Sequence, residues 1–145
     1  MLLISERIIL TIWIGGMWTV GYLVAPTLFN MLEERAMAGS IAGRLFTVMS
    51  YVGLVSVILL MSSLLYTSGM QALQAWRSWL LLGMLVIIVI GEFVLQPKMS
   101  ALREAGLQAE NARQFAVLHG SASVLFLINS LAGLALVIFG LRSQA

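Results

Sequence analysis

Residues 86–106 read "VIIVIGEFVLQPKMSALREAG", and their reading decides the fold. Five apolar residues and a glycine run into Glu92, three more apolar residues follow, and Gln96, Pro97 and Lys98 close the run. With the apolar residues ahead of it, the stretch is long enough to cross a bilayer as a helix, which takes about 20 residues. An ionised carboxylate inside such a segment is costly unless it faces protein or water. Glu92 therefore marks where a function is to be sought.

The composition agrees with a membrane protein. Of 145 residues, 61% are hydrophobic and 10% charged, and the mean hydropathy is +1.01. Soluble domains carry about 25% charged residues, so this chain lacks the polar groups to coat a water-facing surface. A formal net charge of +2 spread over separated arginines makes no basic patch. Nucleic acid is thus not an expected partner, whereas the lipid bilayer is. There is no cysteine, which removes disulfides and thiolate metal sites. The first apolar run is longer than a signal-peptide core, and Pro26 follows its only suitable small residue, Ala25, which argues against cleavage.

Four apolar runs meet the length requirement, at about 8–28, 45–66, 77–96 and 117–141. Ser5 stands where it can cap the first. Trp13, Tyr66, Trp76 and Trp79 lie near run ends, where amphipathic rings favour the headgroup level. Trp18 is deeper and reads as a packing residue. The segments at about 29–44 and 97–114, with arginines and glutamates among Ala and Leu, read as amphipathic helices along the membrane surface. The expected fold is all-α: a four-helix transmembrane bundle in one membrane domain, residues 1–145. Arg35, Arg44, Lys98, Arg103 and Arg113 flank the long connections, against Arg7, Arg77 and Arg142 on the other face. Positive-inside counting leans toward cytoplasmic long connections.

The two hairpins resemble each other. "LVAPTLFNML…AGRLFTVMS" corresponds to "FVLQPKMSAL…NARQFAVLH", with Pro26 matching Pro97 and R-x-F-x-V recurring at 44–48 and 113–117. In that register Glu92 falls opposite Gly21, Gln96 opposite Ala25 and His119 opposite Ser50. Polar groups in the second hairpin stand where small residues stand in the first, and small residues permit close helix approach.

Glu92 lies about one turn before the third run ends, and His119 about one turn after the fourth begins. With roughly 1.5 Å rise per residue, the two are expected at similar depth. Gln96 is four residues past Glu92 and Ser123 four past His119, on the same faces. Ser130 and Gly133 continue the His119 stripe, and Asn129 lies beside it. The candidate ligand- or proton-binding residues are thus Glu92, His119, Gln96, Ser123 and Asn129. In the alternative reading, Glu92 reaches interfacial water and His119 caps or packs.

The nine methionines form no M-x-x-M cluster, and the single histidine excludes bis-His haem ligation within one chain. No cofactor or metal is therefore expected; haem and copper stay open as readings without support. Nothing matches a nucleophile–base set, a phosphate loop or a zinc motif, so no catalytic residue is named and a non-enzymatic role is favoured.

At "GGMWTVGYLVAPTLFNML" (15–32), "AGSIAGRLF" (38–46) and "FAVLHGSASVLFLINSLAGL" (115–134), the chain resembles domain-of-unknown-function family 4149, the transmembrane-protein-205-like membrane proteins. The resemblance marks Pro26, Phe29, Gly43, Phe46, Pro97, His119, Gly120, Ser121 and Asn129, and implies a four-span protein without supplying an activity. Distant similarity to copper-resistance-D-type proteins is weakened by the lack of further histidines. The expected location is a bacterial cytoplasmic (inner) membrane, crossed several times. The favoured function is a small permease-like protein, or one binding a solute, cation or proton through Glu92 and His119. A structural or accessory subunit of a larger membrane complex comes second and a haem-binding redox protein third. A homo-oligomer or a membrane-complex partner accompanies the first two.

Overall fold

A computed structural model describes residues 2–140; Leu141, the expected end of the fourth run, and Arg142, used in the charge count, lie outside them. Helix α1 (Leu2–Trp18) passes through a π-helical segment, Thr19–Val24, into α2 (Ala25–Met31). Helix α3 spans Arg35–Ser68 and is followed by a 3-10 segment, Gly69–Gln74. Helix α4 (Trp76–Ile90) passes through a second π segment, Gly91–Leu95, into α5 (Gln96–Glu104), and α6 spans Ala109–Phe139. Among the described residues there is no strand. Four continuous helical stretches are long and apolar enough to cross a membrane: Leu3–Met31, Arg35–Gln74, Trp76–Glu104 and Glu110–Phe139. The fold is an all-α bundle of four such helices.

Each π segment directly precedes a proline. Proline has no N–H, and its ring collides with the carbonyl four residues back, so an ordinary α-helix kinks or stops there. Here the backbone widens just before each proline instead. The Ala25 amide donates to the Val20 carbonyl, and the Gln96 amide to the Gly91 carbonyl, each five residues back. Regular α-helix then resumes with Pro26 or Pro97 in its first turn. The wide turn recurs at the same place in both hairpins, so the internal repeat is visible in the backbone.

The connections are shorter than the sequence suggests. The stretches 29–44 and 97–114 do not form separate surface helices; within them the chain leaves the helical path only at 32–34 and 105–108. Glu34 is extended (φ −87°, ψ 103°) immediately before α3. Gly106 adopts φ +89°, a conformation that glycine takes without a Cβ penalty, and it ends the turn after α5. The Ala- and Leu-rich residues on either side are good helix formers and simply lengthen the long helices.

The core is built from α1, α3, α4 and α6, with α1 packed on α3 and α6, and α4 closing the other side. Trp13, Ile14, Leu60, Leu81, Met84 and Leu136 are essentially inaccessible. Glycines let the helices approach closely: a Cβ at Gly53 would lie 2.8 Å from Trp13 Nε1, and one at Gly133 would lie 2.7 Å from Ile14 Cδ1. Outside, Ile12, Leu23, Ile58, Trp79, Val86 and Ile138 are all exposed. Apolar side chains both inside and outside suit hydrocarbon contact rather than water. At the end of the bundle opposite the long connections, Arg77 Nη2 donates to the Phe139 carbonyl (3.3 Å), tying α4 to the end of α6. Ser78 Oγ donates to the Ala72 carbonyl (2.6 Å), fastening the 3-10 segment.

Candidate functional site

Glu92 sits in the second π segment and is half-buried. His119 is exposed on α6, its imidazole stacked on the Phe115 ring one turn earlier, with ring centres 5.9 Å apart and planes 6° from parallel. No hydrogen bond or ion pair joins Glu92 to His119. Ser123 is exposed and its hydroxyl donates to the His119 carbonyl (2.9 Å); Ser121 does the same to Val117 (2.9 Å). Both hydroxyls are thus engaged on their own helix. Gln96 reaches across the bundle, its Nε2 donating to the Gly43 carbonyl of α3 (3.2 Å).

Asn129 lies in the α1–α6 seam, apart from Gln96 and His119. It is 5% exposed, its Nδ2 lies 3.5 Å from Met17 Sδ, and its Oδ1 has no partner. Beside it, the Tyr22 hydroxyl donates to Ser130 Oγ (3.1 Å). Phe126 packs edge-on against Tyr22 and Phe46, with ring centres 5.4 and 5.5 Å apart. The five residues read as one constellation therefore occupy different settings: Gln96 bridges to α3, His119 and Ser123 face outward, Asn129 is sealed in the seam, and Glu92 is half-buried without a bonded partner.

What converges instead is a group centred on Arg103. Its guanidinium carbon lies 5.1 Å from the centre of the Phe115 ring, on the ring that also stacks with His119. A Cβ added at Gly43 would lie 3.5 Å from Arg103 Nη1 and 3.0 Å from Gln96 Nε2; one at Gly39 would lie 3.9 Å from Arg103 Nε and 3.7 Å from Phe29 Cζ. Residues of α2, α3, α5 and α6 thus meet around one half-buried arginine. Helical side chains lean toward the N-terminus of their helix, so this one turns back along α5 toward the span instead of out toward water. The carboxylates of Glu33, Glu34, Glu104 and Glu110 are exposed, and Glu110 accepts from Gln114 (3.3 Å). Among the described residues, none of them, nor any other acceptor, bonds to Arg103. Its face contact with Phe115 uses none of the five guanidinium N–H donors.

Two residues of this picture escape a reading of the sequence. Arg103 counts there only as a connection charge, although it follows Gln96 by seven residues on one helical face. Glu6 reads as a residue at the mouth of the first run, yet it is 4% exposed and accepts a hydrogen bond from the Ser63 hydroxyl. The buried stripe Glu6, Leu10, Trp13, Met17 at helical spacing carries the signal. Among the described residues, no group of three or more His, Cys, Asp or Glu side chains is placed to hold a metal ion.

No curated protein and no solved structure matches the chain. The family model described as "Domain of unknown function (DUF4149)" matches residues 8–108. That stretch contains both π segments, Gly43, Gln96 and Arg103 and stops just ahead of α6, so the resemblance at 115–134 falls outside it. With most of its length matched, the chain belongs to the domain-of-unknown-function family DUF4149.

Proposed function

We propose that this is a non-enzymatic, solute- or headgroup-binding membrane protein, and that its ligand is a phosphate-type oxyanion held where α3, α5 and α6 meet. The observation that carries the reading is the Arg103 guanidinium, half-buried, set over Phe115 and bonded to no acceptor among the described residues. A cation drawn part-way out of water is costly unless paired, and a planar guanidinium matches an oxyanion with two parallel hydrogen bonds. Gly39 and Gly43 let Arg103, Gln96 and Phe29 pack close against α3, and His119 stands beside the group through the shared Phe115 ring. Glu92 is not needed in this reading.

The test is thermal unfolding of the full chain in a neutral detergent with added inorganic phosphate. A ligand that binds only the folded state stabilises it by about 2.7 kcal/mol at one hundred times Kd, so Tm is expected to rise with phosphate. Arg103→Gln is expected to abolish the rise and Arg103→Lys to reduce it. An equal rise in Arg103→Gln would sink the reading.

A second reading, an accessory subunit of a larger membrane complex, is supported by a different observation. Several partly or fully buried polar groups bond from one helix to another: Glu6 with Ser63, Tyr22 with Ser130, Gln96 with Gly43. Such bonds hold a bundle together without any ligand. A partner that co-purifies in fixed ratio, equally with Arg103→Gln, would favour it.

A further inference from the structure

We infer that the oxyanion is the phosphodiester of a membrane phospholipid, seated with its phosphate on Arg103 and one acyl chain along the outward face of α6. This rests on the oxyanion reading of Arg103 and adds the source of the ligand and its path of arrival.

The position of Arg103 favours a lipid over a free anion. Arg103 leans toward the span, to the level of Gly39 and Gly43 on α3. The exposed carboxylates of Glu33, Glu34, Glu104 and Glu110 belong to the connection end, which faces away from the span. Arg35, Arg44, Lys98 and Arg113 flank the same connections, so a free anion arriving from water meets both signs of charge there. A phosphodiester carries one charge, matches one guanidinium and arrives in the plane of the membrane.

The face of α6 below His119 suits a hydrocarbon chain. Gly120 is exposed, and a Cβ built on it would meet no heavy atom within 4 Å, so the track begins open. Val124, Leu127 and Leu131 continue it one turn apart and are 58%, 51% and 58% exposed. The hydroxyls of Ser121 and Ser123, which interrupt the apolar sequence, are bonded back to the carbonyls of Val117 and His119 and present no free donor. From Gly120 to Leu131 the helix rises about 16 Å, close to half the ~30 Å hydrocarbon thickness of a bilayer. That is the reach of one acyl chain in one leaflet. The stacked Phe115 and His119 rings lie between this track and Arg103, at the boundary where aromatic groups favour the headgroup level.

The experiment uses the full chain in a neutral detergent, with native mass spectrometry to count retained lipid. Phosphatidylglycerol and diacylglycerol, which has the chains without the phosphate, are added in separate arms. Thermal unfolding with inorganic phosphate forms a third arm. Gly120→Leu fills the open start of the track without contacting Arg103, and its own Tm reports whether it folds. The wild type is expected to retain phosphatidylglycerol at least about tenfold better than diacylglycerol, and both Arg103→Gln and Gly120→Leu to lose about tenfold of that retention. Gly120→Leu is expected to keep the thermal response to inorganic phosphate. Phosphatidylglycerol retention unchanged by Gly120→Leu, with an Arg103-dependent response to inorganic phosphate, would overturn the lipid assignment and leave a soluble oxyanion. Indifference to Arg103→Gln in every arm would overturn both.

Discussion

The Glu6 carboxylate accepts a hydrogen bond from the Ser63 hydroxyl across the seam between α1 and α3, and only 4% of Glu6 is exposed. The acid most deeply buried in this bundle is therefore at the start of the first helix, not in the third. Glu6→Ala removes a buried acceptor of the Ser63 hydroxyl, a change that costs about 1–3 kcal/mol. Glu6→Gln keeps an oxygen at the same reach and is expected to stay within about 1 kcal/mol of wild type. Thermal unfolding in detergent reads both variants. Equal losses would place the stabilising effect in the charge of Glu6 rather than in its bond to Ser63.

Glycine positions separate the rigid contacts from the yielding ones. A Cβ at Gly21 would run into the Phe126 ring, which Tyr22 and Phe46 hold edge-on from two sides. A Cβ at Gly133 would press hardest on Ile14 Cδ1, the terminal methyl of a buried side chain, which yields by a smaller shift than a ring does. A Cβ at Gly91 would meet nothing within 4 Å. Gly21→Ala is thus expected to cost about 1–3 kcal/mol by overpacking and Gly133→Ala less. Gly91→Ala is expected to stabilise by up to about 1 kcal/mol through helix propensity. Measured unfolding that reversed the order of Gly21 and Gly133 would mean the Phe126 ring is free to move.

The four long helices are legible in the sequence because each needs only an unbroken apolar run, and the repeat is legible because Pro26 and Pro97 recur in matching hairpins. The helix ends are not. Residues 35–44 and 97–104 mix charges with good helix formers, and that pattern is the same for a helix lying on the membrane as for one continuing out of it. Proline likewise signals a stop, whereas the wide turns at Val20–Ala25 and Gly91–Gln96 let the helices pass through. Missing that continuation hides Arg103, because only an uninterrupted path through α5 puts it in phase with Gln96. Gln96 follows Glu92 by one helical turn, and its partner, the Gly43 carbonyl, is a backbone atom that no pattern of side chains announces.

If the prolines cause the wide turns, replacing them restores a donor and removes the ring. Pro97→Ala is expected to slow amide hydrogen exchange across 91–98 by roughly fivefold relative to wild type, because the closed helix gains a hydrogen bond of about 1 kcal/mol. Pro26→Ala is expected to do the same across 20–27. Exchange left unchanged by both substitutions would assign the π turns to packing against neighbouring helices instead.

Glu92 and His119 share no hydrogen bond or ion pair; His119 is instead occupied by Phe115. Residues that share no contact or network behave additively within about 0.5 kcal/mol. The double variant Glu92→Gln, His119→Ala is therefore expected to show the sum of the two single effects, in unfolding and in any ligand-binding readout. His119 should couple instead to Phe115, since a stacked pair of this kind contributes about 0.5–1.5 kcal/mol beyond its buried area. The exposure of His119 places the coupling toward the lower end of that range. A cycle that found Glu92 coupled to His119 by more than about 1 kcal/mol, and His119 uncoupled from Phe115, would restore the acid–imidazole site and displace the one built on Arg103.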